Sequence, residues 1–217
     1  MNGASISDID DSEHIPTILH LLSLHTTGGL EVMRAVLESA GSLVDIPNQA
    51  GQTAMFFVSS PEKVFLLSNA GHSVDHEDNK GFRPIHMQIS YNCDASIVTA
   101  LLKEGCEPNA EDHNGRTPLH IVFLVNKDHD FRNDELQEKF DIIKILLHYG
   151  ASTRSKDHDG KVPLELLPPE GHHPAEDWTA IKDHMMEHYD ATVNHGFKRA
   201  CVAIVNVEGT EHEMEEE

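Results

Sequence analysis

Asp112-His-Asn-Gly-Arg-Thr-Pro-Leu-His120, with Asp141-Ile-Ile-Lys-Ile-Leu-Leu-His-Tyr-Gly-Ala151 after it, reads as a turn, two helices and a stop. Thr117 suits the N-cap, where a hydroxyl can accept from an orphan amide of the first turn, and Pro118 follows at N1, where no donor is lost. Ile142, Ile143, Leu146 and Leu147 stand at i, i+1, i+4 and i+5, a single apolar stripe along one helix. Gly150 then supplies the left-handed residue at which that helix ends.

Outward from this stretch the same two themes recur. The helix start returns as Thr17-Ile-Leu-His20, Thr53-Ala-Met-Phe56, Arg83-Pro-Ile-His86 and Val162-Pro-Leu-Glu165. The aliphatic run closed by glycine returns as Val36-Leu37 to Gly41, Leu66-Leu67 to Gly71 and Leu101-Leu102 to Gly105. From the last leucine of a run to the next helix start the spacing is 16, 16, 15 and 15 residues, whereas from start to leucine it is 20, 14, 19 and 30. A fixed connection between units and a variable turn inside each unit is what stacked helix-turn-helix pairs require, because the connection sets the stacking geometry. Each stripe alone buries too little to fold, so the stripes must stack into one elongated core.

These residues resemble the ankyrin repeat, whose pattern is G-x-TPLH, a short helix, a turn, an aliphatic helix, G-A-D-V-N and a hairpin. The resemblance covers residues 14–194 and implies an all-α solenoid of stacked helix-turn-helix units joined by β-hairpin loops. The expected units are 14–48, 49–79, 80–112, 113–158 and 159–194. The fourth carries a long turn at 126–139, in which Phe131 and Leu136 stand among charges as apolar anchors for docking. The first unit has Ile18 where the proline belongs and an extra residue before Asp45; the second has Phe56 for histidine and a turn about four residues short. In the last, Pro168-Pro169 shorten the first helix and Tyr189 replaces the closing glycine, as suits a terminal cap. The resemblance also marks His20, His86 and His120 as structural histidines locking neighbouring units, and Asn109 as a hairpin asparagine of the kind that can be hydroxylated.

Composition narrows the function. The chain has 217 residues, 37 acidic against 16 basic, for a net charge of -21. Such a field repels phosphate backbones and anionic lipid and attracts basic protein segments, so the expected partners are proteins, one with a basic segment among them, with no nucleic acid and no membrane. The first fourteen residues hold four carboxylates and no Lys or Arg, the reverse of a secretory signal. Cys93, Cys106 and Cys201 show no CxxC pairing, which fits a reducing compartment, cytosol or nucleus. Residues 1–13 read as a disordered acidic terminus, and 195–217 as an extension with an acidic tail of six glutamates between Glu208 and Glu217.

No phosphate loop, GxSxG elbow or nucleophile-base arrangement appears, so the expected activity is non-catalytic and cofactor-free: an adaptor, inhibitor or scaffold. The resemblance places contact on the side built from hairpin tips and first helices. The tips read Asp75-His-Glu-Asp-Asn-Lys80, Glu111-Asp-His-Asn114 and Lys156-Asp-His-Asp159, an acidic row. Asp78, Asn79, Glu111, Asp112, His113, Asp157 and His158, with Phe131, are therefore the expected partner-binding residues. One alternative is a regulator that masks the basic region of a transcription factor. Another, of a different class, is a zinc hydrolase using the His184-x-x-Glu187-His188 arrangement, although the same segment reads as the fifth copy of the repeat's helix end.

Overall fold

Every expected helix start that can be followed opens a helix. The structure, a computed structural model, describes residues 18–24, 29–40, 45–91, 94–124 and 133–166, together with Asp183 and Met185. The helices are α1 (Ile18–Leu24), α2 (Gly29–Ala40), α3 (Pro61–Asn69), α4 (Pro84–Tyr91), α5 (Ala95–Lys103), α6 (Pro118–Leu124) and α7 (Asn133–His148). Two single turns of 3-10 helix, Ala54–Phe57 and Pro163–Leu166, stand where the first helices of the second and last units belong. Among the described residues there is no strand, so the connections are turns and not paired β-arms.

The helices form two layers. The first helices stack in chain order, α1 on 54–57, 54–57 on α4, α4 on α6 and α6 on 163–166; behind them α2, α3, α5 and α7 stack in the same order. The predicted stripes face inward: Ile97, Val98, Leu101 and Leu102 on α5 and Ile142, Ile143, Leu146 and Leu147 on α7 are all buried. They join Leu19, Met33, Val64, Leu67, Ile85 and Leu119 in one continuous core. Gly71, Gly105 and Gly150 take φ of 92°, 92° and 89° at the ends of α3, α5 and α7, the left-handed stop the sequence asks for.

Four details depart from expectation. Neither threonine caps by its hydroxyl: Thr53 makes no side-chain cap bond, and Thr117 Oγ1 lies 2.8 Å from His120 Nδ1. The cap that does form is Asp94 on α5, whose carboxylate accepts from the Ser96 and Ile97 amides. The fourth unit's turn is shorter than the 126–139 expected from its spacing, because α7 begins at Asn133 and takes in residues 133–139. Finally, the short turn of the second unit leaves only one 3-10 turn before α3. Lys63 of α3 therefore reaches beneath it to α1, donating from Nζ to Leu22 O at 2.7 Å, Ser23 O at 3.1 Å and Ser59 Oγ at 2.9 Å. A buried ammonium is tolerable here because it closes the unsatisfied carbonyls at a helix C-terminus.

The expected acidic termini at 1–13 and 195–217, Phe131, Leu136, Pro168, Pro169, Tyr189 and the His184, Glu187 and His188 arrangement all lie outside the residues whose side chains are described.

Candidate functional site

Each hairpin is one tight turn repeated. The amides of Gly51, Gly81, Gly115 and Gly160 donate to the carbonyls of Asn48, Asp78, Asp112 and Asp157 at 2.9–3.0 Å, and each glycine has φ between 72° and 81°. The residue that opens the turn also uses its side chain. Asp112 Oδ1 accepts from the Asn114 and Arg116 amides at 2.8 Å each; Asp78 Oδ1 does so from Lys80 and Phe82, and Asp157 Oδ1 from Asp159 and Lys161. Asn48 makes the same pair with Ala50 and Gln52. All three aspartates are buried.

This corrects the acidic row. Asp78, Asp112 and Asp157 turn back to bind their own backbones, and Asp78 Oδ2 also accepts from Gln52 Nε2 at 3.0 Å, so they do not face a partner. The side chain of Asn79 is exposed, but its amide and Nδ2 donate to Ala50 O and Gln49 O of the preceding tip at 2.9 Å. The His113 and His158 amides tie their tips to Lys80 O and Asn114 O in the same way. Their exposed rings lie over Gly81 and Gly115, where a Cβ would collide with them. His113 Nε2 also meets Glu77 Oε1 at 3.1 Å. Of the expected residues that are described, Asn79, Glu111 and the rings of His113 and His158 are exposed, Asn79 being tied to the preceding tip. Residues 45–124 hold ten acidic and five basic side chains, so much of the charge of -21 lies elsewhere in the chain.

The histidine locks are present. Arg83 N–H donates to His86 Nδ1 at 3.0 Å, which makes Nε2 the protonated nitrogen, and that donates to Ala110 O at 3.0 Å. His120 repeats the arrangement between Thr117 N–H and Lys161 O, and His20 Nε2 reaches Gln52 O at 2.9 Å. Burial disfavours the imidazolium and lowers all three, His86 to about 4. In the second unit Phe56 has no ring nitrogen, and its carbonyl instead accepts from Gln88 Nε2 at 2.9 Å.

A second lock went unread in the sequence. Asp45 Oδ2 accepts from Ser73 N–H at 2.8 Å, Asp75 Oδ2 from Glu107 N–H at 3.0 Å, and Asn109 Oδ1 from Ser152 N–H at 2.7 Å. Each donor stands two residues beyond a helix-ending glycine, and that register was the available signal. Asn109 Nδ2 also donates to Gly150 O at 3.0 Å, so both ends of that side chain hold the next unit.

The first helices of the first four units carry no charged residue: α1 reads ILHLLSL, 54–57 AMFF, α4 PIHMQISY and α6 PLHIVFL. The last residues of these stacked helices are Leu24, Phe57, Tyr91 and Leu124, standing seven, four, eight and seven residues beyond the starts at Thr17, Thr53, Arg83 and Thr117. Tyr91 is 79% exposed and Leu24 59%, while Phe57 and Leu124 are half-buried. These ends give the stack of first helices an apolar and aromatic strip, a surface able to seat the side chains of another protein. Among the described residues no group of histidine, cysteine and carboxylate side chains is arranged to hold a metal. Cys106 is buried against Asp75, and burial pushes its thiol well up, away from nucleophilic use.

The family model for ankyrin repeats matches residues 54–157 with three copies. The chain is 29% identical over 124 residues to the E3 ubiquitin-protein ligase KEG of Arabidopsis thaliana, covering 54% of this chain and 8% of that protein. It is 32% identical over 84 residues to ankyrin repeat domain-containing protein 53 of Mus musculus, covering 36% of this chain and 17% of that one. The chain thus spans less than a fifth of the length of either relative.

Proposed function

We infer that this chain, an ankyrin-repeat protein through residues 54–157, acts without catalysis as an adaptor, inhibitor or scaffold that holds a partner protein on the strip from Leu24 to Leu124. Ankyrin repeats are protein-interaction modules, and the observation that carries the reading is Tyr91, exposed at 79% in the middle of an uncharged row of helix ends. Exposed aromatic side chains are frequent binding hot spots, where truncation costs about 2 kcal/mol or more. The partner it fits presents apolar or aromatic side chains to the strip and polar groups to the hairpin tips. A reducing compartment, cytosol or nucleus, belongs to the same proposal and rests on cysteines without a pairing motif.

The test is affinity capture from native extract with the intact chain beside Tyr91→Ala and Leu24→Ser, each checked for an unchanged helical signal. Loss of a partner held by the intact chain supports the strip. Retention by both variants, with loss on Glu77→Lys plus Glu111→Lys and on raising salt from 50 to 500 mM, would replace it with the masking of a basic segment.

A further inference from the structure

Each of the four hairpin turns closes on a glycine, and the residue before that glycine differs from tip to tip: Ala50, Lys80, Asn114 and Asp159. Asn114 alone among them carries a carboxamide, and it is exposed. Gly115 sets no side chain against an approach of its own backbone nitrogen to that carboxamide. The closed turn holds both reacting groups back. The Gly115 amide donates to Asp112 O at 2.9 Å, and Gly115 is buried beneath the His158 ring. Asn114 Nδ2 lies 3.3 Å from Asp112 Oδ2, and the Asn114 amide donates to Asp112 Oδ1 at 2.8 Å, which draws the carboxamide toward Asp112.

We propose that Asn114 is a self-modification site, deamidated by its own backbone when the third hairpin turn opens. In the opened turn the Gly115 nitrogen gives its proton to solvent and bonds to Asn114 Cγ; the Cγ–Nδ2 bond breaks and ammonia leaves. Water then opens the resulting succinimide at one of its two carbonyls, leaving aspartate or isoaspartate. The net exchange is one water taken up for one ammonia released, with nothing oxidised or reduced. Either product weakens the tie between the third and fourth hairpins. Aspartate sets a second carboxylate against Asp112 Oδ2, where a donor stood, and Asp112 is buried. In isoaspartate the chain continues through Cγ. The carbonyl that accepts from the His158 N–H at 2.9 Å then leaves the main chain, and the Arg116 amide is carried out of register with Asp112 Oδ1.

The test is a timed incubation of the full chain at pH 7.5, native and in urea. The tryptic peptide 104–116 is then separated into its asparagine, aspartate and isoaspartate forms. Asn114 should give both products in both samples, about tenfold to a hundredfold more slowly in the native chain, a factor set by how often the turn opens. Asn109 lies in the same peptide, is followed by Ala110 and is held at both ends of its side chain, so it should stay intact in the native chain. Asp112→Ala should raise the native rate about tenfold, because it strips the turn of its carboxylate acceptor. Asp112→Asn, which keeps an acceptor, should leave the rate unchanged. If the Ala variant loses its helical signal, the Asn variant and the ratio of native to urea rates decide the matter. During the same incubation the unfolding midpoint of the native chain should drift down, while that of Asn114→Gln, whose longer side chain closes the ring far more slowly, should hold. Asn114 still intact in the native chain after ten half-lives of the urea sample overturns the site. Equal native and urea rates, equal rates in the two Asp112 variants, or Asn109 converting as fast as Asn114 overturn the gating by the turn. A midpoint that holds while product accumulates overturns the weakened tie.

Discussion

Acid should loosen this protein through its buried histidines well before its carboxylates titrate, and His86 allows the size of the effect to be worked out. Its ring accepts from Arg83 N–H and donates to Ala110 O, so the folded state holds it neutral, with the pKa lowered from 6.5 to about 4 by burial. As pH falls through 6.5 the unfolded chain takes a proton that the folded chain refuses. Stability is therefore lost between the unfolded value and about 4, and the loss levels off below the folded value. The full shift corresponds to about 3 kcal/mol, of which about 2 kcal/mol is already lost at pH 5. His20, His72 and His120 shift in the same direction, chiefly by burial, and steepen the slope. Urea unfolding of the native chain and of His86→Gln at pH 7.5 and pH 5 isolates the one group, because the variant cannot titrate there. The native chain should lose about 2 kcal/mol more than the variant over that interval, and the His86 ring proton followed by NMR should titrate below pH 5. Equal losses in the two proteins, or a ring titrating at 6 or above in the folded state, would refute the reasoning.

Two further outcomes follow from the hairpins. Asp112→Ala strands the part-buried amides of Asn114 and Arg116 and should lower unfolding stability by about 1 to 3 kcal/mol. Asp112→Asn should stay within about 1 kcal/mol of the native chain, since Asn48 already makes the same two bonds in the first hairpin; an Asn variant as unstable as the Ala variant would refute the turn's role. Gly115→Ala and Gly160→Ala share a left-handed backbone, φ 72° and 80°, but only the first meets the next tip, at the ring and amide of His158. Both should destabilise by about 1 kcal/mol for the backbone alone. Gly115→Ala should exceed Gly160→Ala by a further amount of about 1 kcal/mol or more, and equal denaturation midpoints would show that the tips do not touch.

By itself the sequence determined the architecture, because a repeat fold is a local code. The spacing from Leu37 to Thr53 and from Leu102 to Thr117, the prolines at 84 and 118 and the glycines at 105 and 150 each act within one unit. Repetition then dictates the stack, and the stripe on α5 and α7 and the histidine locks could be read from register alone. The site was not legible in that way. Asp78, Asp112 and Asp157 look in one dimension like charges at the tips of loops, and whether a short carboxylate points to solvent or to the amides two and four residues on is decided by the backbone of the turn. The strip from Leu24 to Tyr91 joins helix ends of separate units, which only stacking assembles. Sequence specifies each unit through short-range torsions and apolar spacing; which side chains remain for a partner depends on what neighbouring units cover, and tertiary packing alone decides that.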